Sequence, residues 1–393
     1  MARRRTRFVA TIGVSLTALA LVGTAVSAPL SAAPTGAAPE VRLNEMQVIG
    51  SHNSYHVEPP PDVLDFYLTV DPGAIELAYS HAPLPVQFDD QGVRQIELDI
   101  RRDPNGDLFR PFGDTGFKVF HIEQIDEGST CLTLVECLQS VRSWSDGNPL
   151  HMPIAIQLEI KDQPEFIGPP DPLPMTPADY DALDAEIRSV FGEGRLLTPD
   201  DVRGDAATLE EAVLDEGWPV IDEVRGQVLF LLDNKRDDYV DGHPSLEGRA
   251  AFTPSTPGQP DAAFIKMNDP TGAFQAEIEA LVEAGYVVRT RADSPVKTPQ
   301  SGDTTQREAA LASGAQWVST DYPVPGMAVR WGSDYFAAIP GGNPARCNPV
   351  NAPPGCTAAA IEDLPEPPPP TAPPTPPTSA PALAAVTAPR YTG

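Results

Sequence analysis

The chain reads as an α/β protein folded into a single-domain (β/α)8 TIM barrel, on three observations. Between Asn44 and Pro323, short β-rich runs alternate with helical ones, the order that builds a parallel sheet through right-handed crossovers. Eight strand candidates occupy 280 residues, a span that suits the ~250 typical of a closed eight-stranded ring. Each run ends in polar or ionisable residues, where such a barrel carries its chemistry, and no Gly-rich phosphate loop follows the first strand to favour an open doubly wound sheet.

The first strand, Met46–Ser51, ends in GSHNSYH (Gly50–His56), and the Pro-interrupted stretch after it is expected to be mostly loop. Next comes Gln95–Arg101. Alternate side chains of a strand share a face, so Glu97 and Asp99 lie side by side, opposite Ile96, Leu98 and Ile100. The third candidate, Lys118–Ile122, ends in VFHI and leads to a helix over Leu132–Trp144. Ile154–Lys161 repeats the period of two, with Glu159 and Lys161 on one face, and ends in LEIKD. Helices over Pro177–Phe191 and Leu209–Glu216 precede the strand Gln227–Asn234, which ends in DNK. Ala263–Asn268 ends in KMND, Tyr286–Ala292 in RTRAD and Gln316–Asp321 in STDYP, with helices Ala273–Ala284 and Thr305–Ser313 between them. Gly192, Gly217, Gly285 and Gly314 supply helix stops. The Pro- and Gly-marked connections Asp162–Pro177 and Asp237–Pro260 are long enough to serve as binding loops.

Both ends differ from this middle. Arg3, Arg4, Arg5 and Arg7 precede an apolar run that closes on small residues near Ala28, the layout of a secretory signal peptide cut between Ala28 and Ala38; a retained membrane anchor is the alternative. The expected organisation is a signal peptide and short leader over 1–38, the barrel over 39–335, a disulfide-containing extension over 336–362 and a disordered Pro/Ala/Thr-rich tail over 363–393. Removing the four leader arginines moves the formal net charge from −28 to −32. No basic stripe is available to neutralise phosphates in a row, which excludes nucleic acid as a partner and argues against electrostatic recruitment to anionic lipid. Four cysteines in an exported chain allow three disulfide connectivities; the local pairs Cys131–Cys137 and Cys347–Cys356 each close a short loop and are favoured. The chain is expected to be secreted and to work as a monomer.

The candidate chemistry lies at the strand ends. His52 and His121 terminate different strands and face one mouth, where one imidazole can take a proton and the other give it. His56, His81, His151 and His243 are expected to be ordinary loop residues. Glu97, Asp99, Glu159 and the amide oxygen of Asn53 form an all-oxygen set, which selects calcium or magnesium over zinc, unless Lys161, Arg101 and Arg289 close the acids into a salt-bridge ring. A hard cation beside two histidines suits phosphoryl chemistry, with Lys161, Lys235, Arg289 and Arg291 available for phosphate oxygens or sugar hydroxyls.

The order GSHNSY, ELD, VFHI, LEIKD resembles the phosphodiesterase barrel superfamily that contains phosphatidylinositol-specific phospholipase C and glycerophosphodiester phosphodiesterases. More narrowly, it resembles the secreted bacterial calcium-dependent phosphatidylinositol phospholipase C family over Asn44–Pro323. The resemblance implies that His52 and His121 are the acid/base pair and that Asn53, Glu97, Asp99 and Glu159 bind Ca2+. It also implies that the inositol 2-hydroxyl attacks phosphorus, releasing diacylglycerol and a cyclic inositol phosphate that can be hydrolysed in turn, with a phospholipid at a membrane surface as substrate. His52–Ser54 reads HNS where the glycerophosphodiesterase branch has HRG, which favours the phospholipase branch. The rival readings are a phosphodiesterase for soluble deacylated phospholipid and a non-catalytic barrel that binds lipid or sugar phosphate.

Overall fold

The computed structural model describes residues 39–165 and 169–362; the expected signal peptide and Pro-rich tail lie outside the described residues. Among the described residues ten strands form one sheet: β1 Met46–Ser51, β2 Gln95–Asp103, β3 Gly116–Val119, β4 Ile154–Ile160, β5 Val228–Leu232, β6 Ala251–Phe252, β7 Phe264–Lys266, β8 Val287–Arg291, β9 Trp317–Thr320 and β10 Ala345–Cys347. Eight of them run in the order β6-β5-β4-β2-β1-β9-β8-β7, every neighbouring pair parallel. A parallel bridge from Pro254 to Phe264, with the Ser255 amide donating to the Phe264 carbonyl at 3.0 Å, brings the two ends of that order together. The fold is therefore a nearly closed (β/α)8 barrel.

Two strands depart from the expected assignment. The expected third barrel strand, Lys118–Ile122, instead contributes to β3, which pairs antiparallel with β2 from Ile100↔Val119 to Asp103↔Gly116. The connection between them, rich in Pro, Gly and Asp, holds no helix, and without a crossover helix the chain can return only antiparallel. The missing barrel strand is β6, two residues long and set within the Asp237–Pro260 connection. The helices are close to expectation. Leu134–Gly147 starts at Thr133, whose hydroxyl accepts from the Glu136 amide while Glu136 reaches back, and Ala273–Ala284 stops at Gly285 in the left-handed region at φ 115°. The expected helix Leu209–Glu216 divides into an α-turn, Leu209–Glu211, and a π-turn, Ala212–Glu216. The stretch expected as loop after β1 holds the helix Pro61–Val70, with Pro61 pre-setting its first turn.

Ile96, Leu98 and Ile100 pack into the layer between sheet and helices, while polar groups fill the lumen. Arg289 of β8 reaches Glu97 of β2 at 2.6 Å, and Lys266 and Gln157 both bond Asp233, at 2.7 and 2.6 Å. At the lower end, β10 pairs antiparallel with Met46–Val48 of β1, and Glu362 forms a two-pronged pair with buried Arg94 at 2.8 and 2.7 Å. Cys131–Cys137 and Cys347–Cys356 are disulfide-bonded. Among the described residues no helix is long and apolar enough to cross a membrane.

Candidate active site

The loop after β1 is stapled to the neighbouring strand. The Ser54 amide donates to the Glu97 carbonyl at 2.9 Å, and the Glu97 amide donates to the Ser54 hydroxyl at 2.8 Å. This turn places His52 above the lumen, where its amide bonds the Thr320 carbonyl at 3.0 Å and Nδ1 lies 2.8 Å from Asp321 Oδ1. A carboxylate can only accept, so Nδ1 carries the proton and Nε2 presents a lone pair. Arg291 holds the other Asp321 oxygen at 2.9 Å. Burial and the Arg291 guanidinium push His52 down to about 3, with Asp321 opposing them. Asn53 sits in the left-handed region at φ 45° and donates its amide nitrogen to the Tyr79 hydroxyl at 3.3 Å, leaving Oδ1 buried without a partner.

The parallel register of β2 and β4 sets Asp99 beside Glu159. Glu97, Asp99 and Glu159 each offer an oxygen within 4.8 Å of the others. Both Asp99 oxygens are buried without a well-formed hydrogen bond, and Lys161 Nζ lies 3.4 Å from Asp99, 3.0 Å from Glu159 and 3.1 Å from Glu165. Burial pushes the Glu97 and Asp99 carboxyls well above the usual range, against the pull of Arg289 and Lys161. Crowded carboxylates with orphaned oxygens fit a hard divalent cation, and Asn53, one residue before the Ser54 that bonds Glu97, adds a buried amide oxygen without a partner.

His121 lines the same cavity as His52. Its Nδ1 lies 2.8 Å from Asp126 Oδ2, and the same oxygen lies 2.7 Å from His56 Nε2. Burial pushes Asp126 up, but the bonds from His121 and His56 more than offset it and hold the carboxyl below its usual range. His52, Asn53, His121 and Glu165 line one cavity of about 490 Å³ with Tyr67, Leu77, Ile122 and Ile125. A larger cavity of about 930 Å³, lined by Arg42, Trp218 and Gln227 among others, includes none of the candidate groups.

Six expected residues thus meet in two adjoining groups: His52, Asn53 and His121 at the cavity, and Glu97, Asp99 and Glu159 beside His52, whose Nε2 is 3.9 Å from Glu97 Oε1. Lys161 joins the acids. Arg289 and Arg291 are engaged by Glu97 and Asp321, and Lys235, in the left-handed region at φ 61°, pairs with Asp162 at 2.7 Å, apart from the acidic cluster. Two histidines expected to be ordinary loop residues do lie in loops, but both are buried and bonded to candidate groups or their partners. His56 is buried against Asp126, and His81 Nε2 donates to the His52 carbonyl at 2.8 Å. Asp126 and Asp321 were not singled out either. The signal for Asp321 was its place in the polar end of its strand, and for His56 its spacing of four from His52.

A sequence model of the family "Phosphoinositide phospholipase C, Ca2+-dependent" matches residues 41–113 and 110–349. Among solved structures the chain is similar to a calcium-dependent phosphoinositol-specific phospholipase C from the Gram-negative bacterium Pseudomonas sp., at 18% identity over 78% of this chain and 95% of that one, TM-score 0.49. It is also similar to the Ca2+-dependent phosphatidylinositol-specific phospholipase C of Streptomyces antibioticus, at 19% identity over 72% and 95%, TM-score 0.47. A glycerophosphoryl diester phosphodiesterase from Parabacteroides distasonis matches at 14% identity over 77% and 92%, TM-score 0.30. No protein of curated function matches the sequence.

Proposed function

The chain belongs to the Ca2+-dependent phosphoinositide phospholipase C family of phosphoric diester hydrolases, and on that premise we propose that it cleaves phosphatidylinositol to diacylglycerol and a cyclic inositol phosphate. The observation that carries this reading is the meeting of two imidazoles at one cavity, with an oxygen-only cluster adjoining it through Glu97, 3.9 Å from His52. Asn53, Glu97, Asp99 and Glu159 would hold Ca2+, which when bound offsets phosphate charge and acidifies a nearby hydroxyl. His52, on the carboxylate side, takes the proton of the inositol 2-hydroxyl at Nε2 as its oxygen bonds to phosphorus. His121, on the side of Ile122, Ile125 and Leu77, gives a proton to the glycerol oxygen as the P–O bond to diacylglycerol breaks. Fixing the hydroxyl next to the phosphodiester supplies the proximity term. Lys161, which pairs with Asp99, Glu159 and Glu165, would hold phosphate oxygens beside the cation.

An acyl-bearing substrate is favoured over a soluble one by the apolar wall of the cavity. The helix Pro61–Val70 leads into that wall and leaves Phe66 and Val70 61% and 71% exposed, as a lipid surface would require. The Arg-led apolar leader and two disulfides support export. The test compares phosphatidylinositol in vesicles with glycerophosphoinositol in solution, each with calcium and with chelator. Cleavage of the vesicle lipid, at least tenfold faster and only with calcium, is expected; equal or faster turnover of the soluble diester would assign the chain to that substrate instead.

A further inference from the structure

We propose that Asp126 and His56 are positioning residues for His121, forming a buried relay His56–Asp126–His121 that fixes which nitrogen of His121 faces the substrate. The inference rests on the reading of His121 as the acid. It begins with the backbone. Ile122 and Asp126 exchange amide-to-carbonyl bonds at 3.1 and 2.9 Å around Gln124, which takes φ 64°, and this tight turn folds the Asp126 carboxylate beneath the His121 ring. His56 is fixed from three directions. Its amide donates to the Asn53 carbonyl at 2.9 Å, its carbonyl accepts from the His81 amide at 2.8 Å, and its ring stacks on Tyr79 at 4.3 Å and 27°.

One oxygen, Asp126 Oδ2, receives both imidazoles, at 2.7 Å from His56 and 2.8 Å from His121, and both His56 and Asp126 are fully enclosed. An ionised carboxylate has only lone pairs to offer, so both contacting nitrogens must carry hydrogen. For His121 this makes Nδ1 the protonated atom of the neutral ring and leaves Nε2 as the nitrogen that holds and releases the transferred proton. For His56 it places the hydrogen on Nε2. Nδ1 of His56 is buried without a partner, so Nε2 is the ring nitrogen for which the structure supplies an acceptor. Asp126 therefore keeps its full negative charge beneath His121 and stabilises the imidazolium that precedes proton release, while His56 prevents the carboxylate from turning away. Tyr79 ties the same scaffold to Asn53 through the 3.3 Å bond from the Asn53 amide, so one rigid block orients both a candidate cation ligand and the acid.

The experiment combines imidazole 15N NMR of the full chain with steady-state kinetics on phosphatidylinositol vesicles in calcium. Wild-type His121 is expected as the Nδ1–H tautomer. Asp126→Asn should shift it toward Nε2–H and lower kcat on the order of 100-fold with KM within about twofold. His56→Phe should lower kcat about tenfold, whereas His56→Gln, which keeps an N–H donor, should recover most of the loss. Wild-type His121 found as Nε2–H, or Asp126→Asn with unaltered kcat and tautomer, overturns the relay. Should Asp126→Asn fail to fold, the wild-type spectrum still decides, and Asp126→Glu provides the kinetic arm. Full activity in His121→Ala would remove His121 as the acid, a separate outcome, because the tautomer measurement does not depend on turnover.

Discussion

Asn53 combines two constraints that no other residue type meets equally well. Its backbone needs the left-handed region, which Asn tolerates better than other side chains with a β-carbon, and its amide spans the Tyr79 hydroxyl on one side while presenting an unpartnered oxygen on the other. Asn53→Gly relieves the backbone and deletes the oxygen. Thermal stability without calcium should hold or rise slightly, and calcium affinity by calorimetry should fall about tenfold or more. Glu186 gives a pH signature remote from the site. Burial pushes its carboxyl up to about 7, although the Phe117 amide and Lys118 pull it down. An acid whose folded pKa is raised contributes stability that is complete below its unfolded pKa and lost as pH rises through the folded value. Glu186→Gln should therefore match wild type near pH 4.5 and exceed it by up to about 2 kcal/mol at pH 8, a gap that urea unfolding at the two pH values would measure. The acids Glu97, Asp99 and Glu159 were legible in sequence because a period of two is a local property. The partners of His52 and Arg94 were not, since Asp321 lies 269 positions from His52 and Glu362 lies 268 from Arg94, and nothing local specifies either contact.

Among the elements, those with local stop and start chemistry were legible and those defined by pairing were not. The helix Ala273–Ala284 was readable from its composition and the glycine after it. β3 has a strand's composition in either role, and only the missing crossover helix separated a hairpin from a barrel strand, while β6 is too short to show any period. Gly50 shows the same dependence on a neighbour, since a β-carbon there would lie 1.8 Å from Gln95 Oε1 on β2. The segment carrying β10 and Glu362 is an integral clasp. Besides the Arg94 pair, Arg225 donates to the carbonyls of Ala360 and Ile361 at 2.9 and 2.7 Å, and Ile361 is buried. Removing one partner of a buried pair leaves the other charge uncompensated, so Glu362→Ala should cost about 3–5 kcal/mol in denaturant unfolding, and Arg94→Met with Glu362→Leu should recover most of it. A loss below about 1 kcal/mol would mean that the clasp does not contribute to the fold's stability.

At the scale of the whole molecule, a formal net charge of −28 sets how the protein can meet a lipid surface. Anionic headgroups would repel it, so the proposed adhesion to lipid would rest on apolar groups such as Phe66 and Val70. Raising sodium chloride from about 0.05 to 0.5 M screens the repulsion and should strengthen vesicle association, measured by sedimentation in fixed calcium; weaker association would point to a basic contact instead. The eight-stranded fold was legible because strand count and alternation are properties of the whole sequence, even though one of the eight expected strands, β3, lies outside the barrel order and β6 takes its place.

In backbone hydrogen bonds the seam between β6 and β7 is joined by the Ser255 amide, with Lys266 of β7 reaching across it to Asp233 after β5. In the circular order it lies diametrically across from β1 and β2, which bear His52, Asn53, Glu97 and Asp99. The cylinder is thus least closely joined on the side away from the candidate site. Deuterium should enter at Ser255 far sooner than along β4, and calcium should slow uptake near Asn53 while leaving Ser255 unchanged.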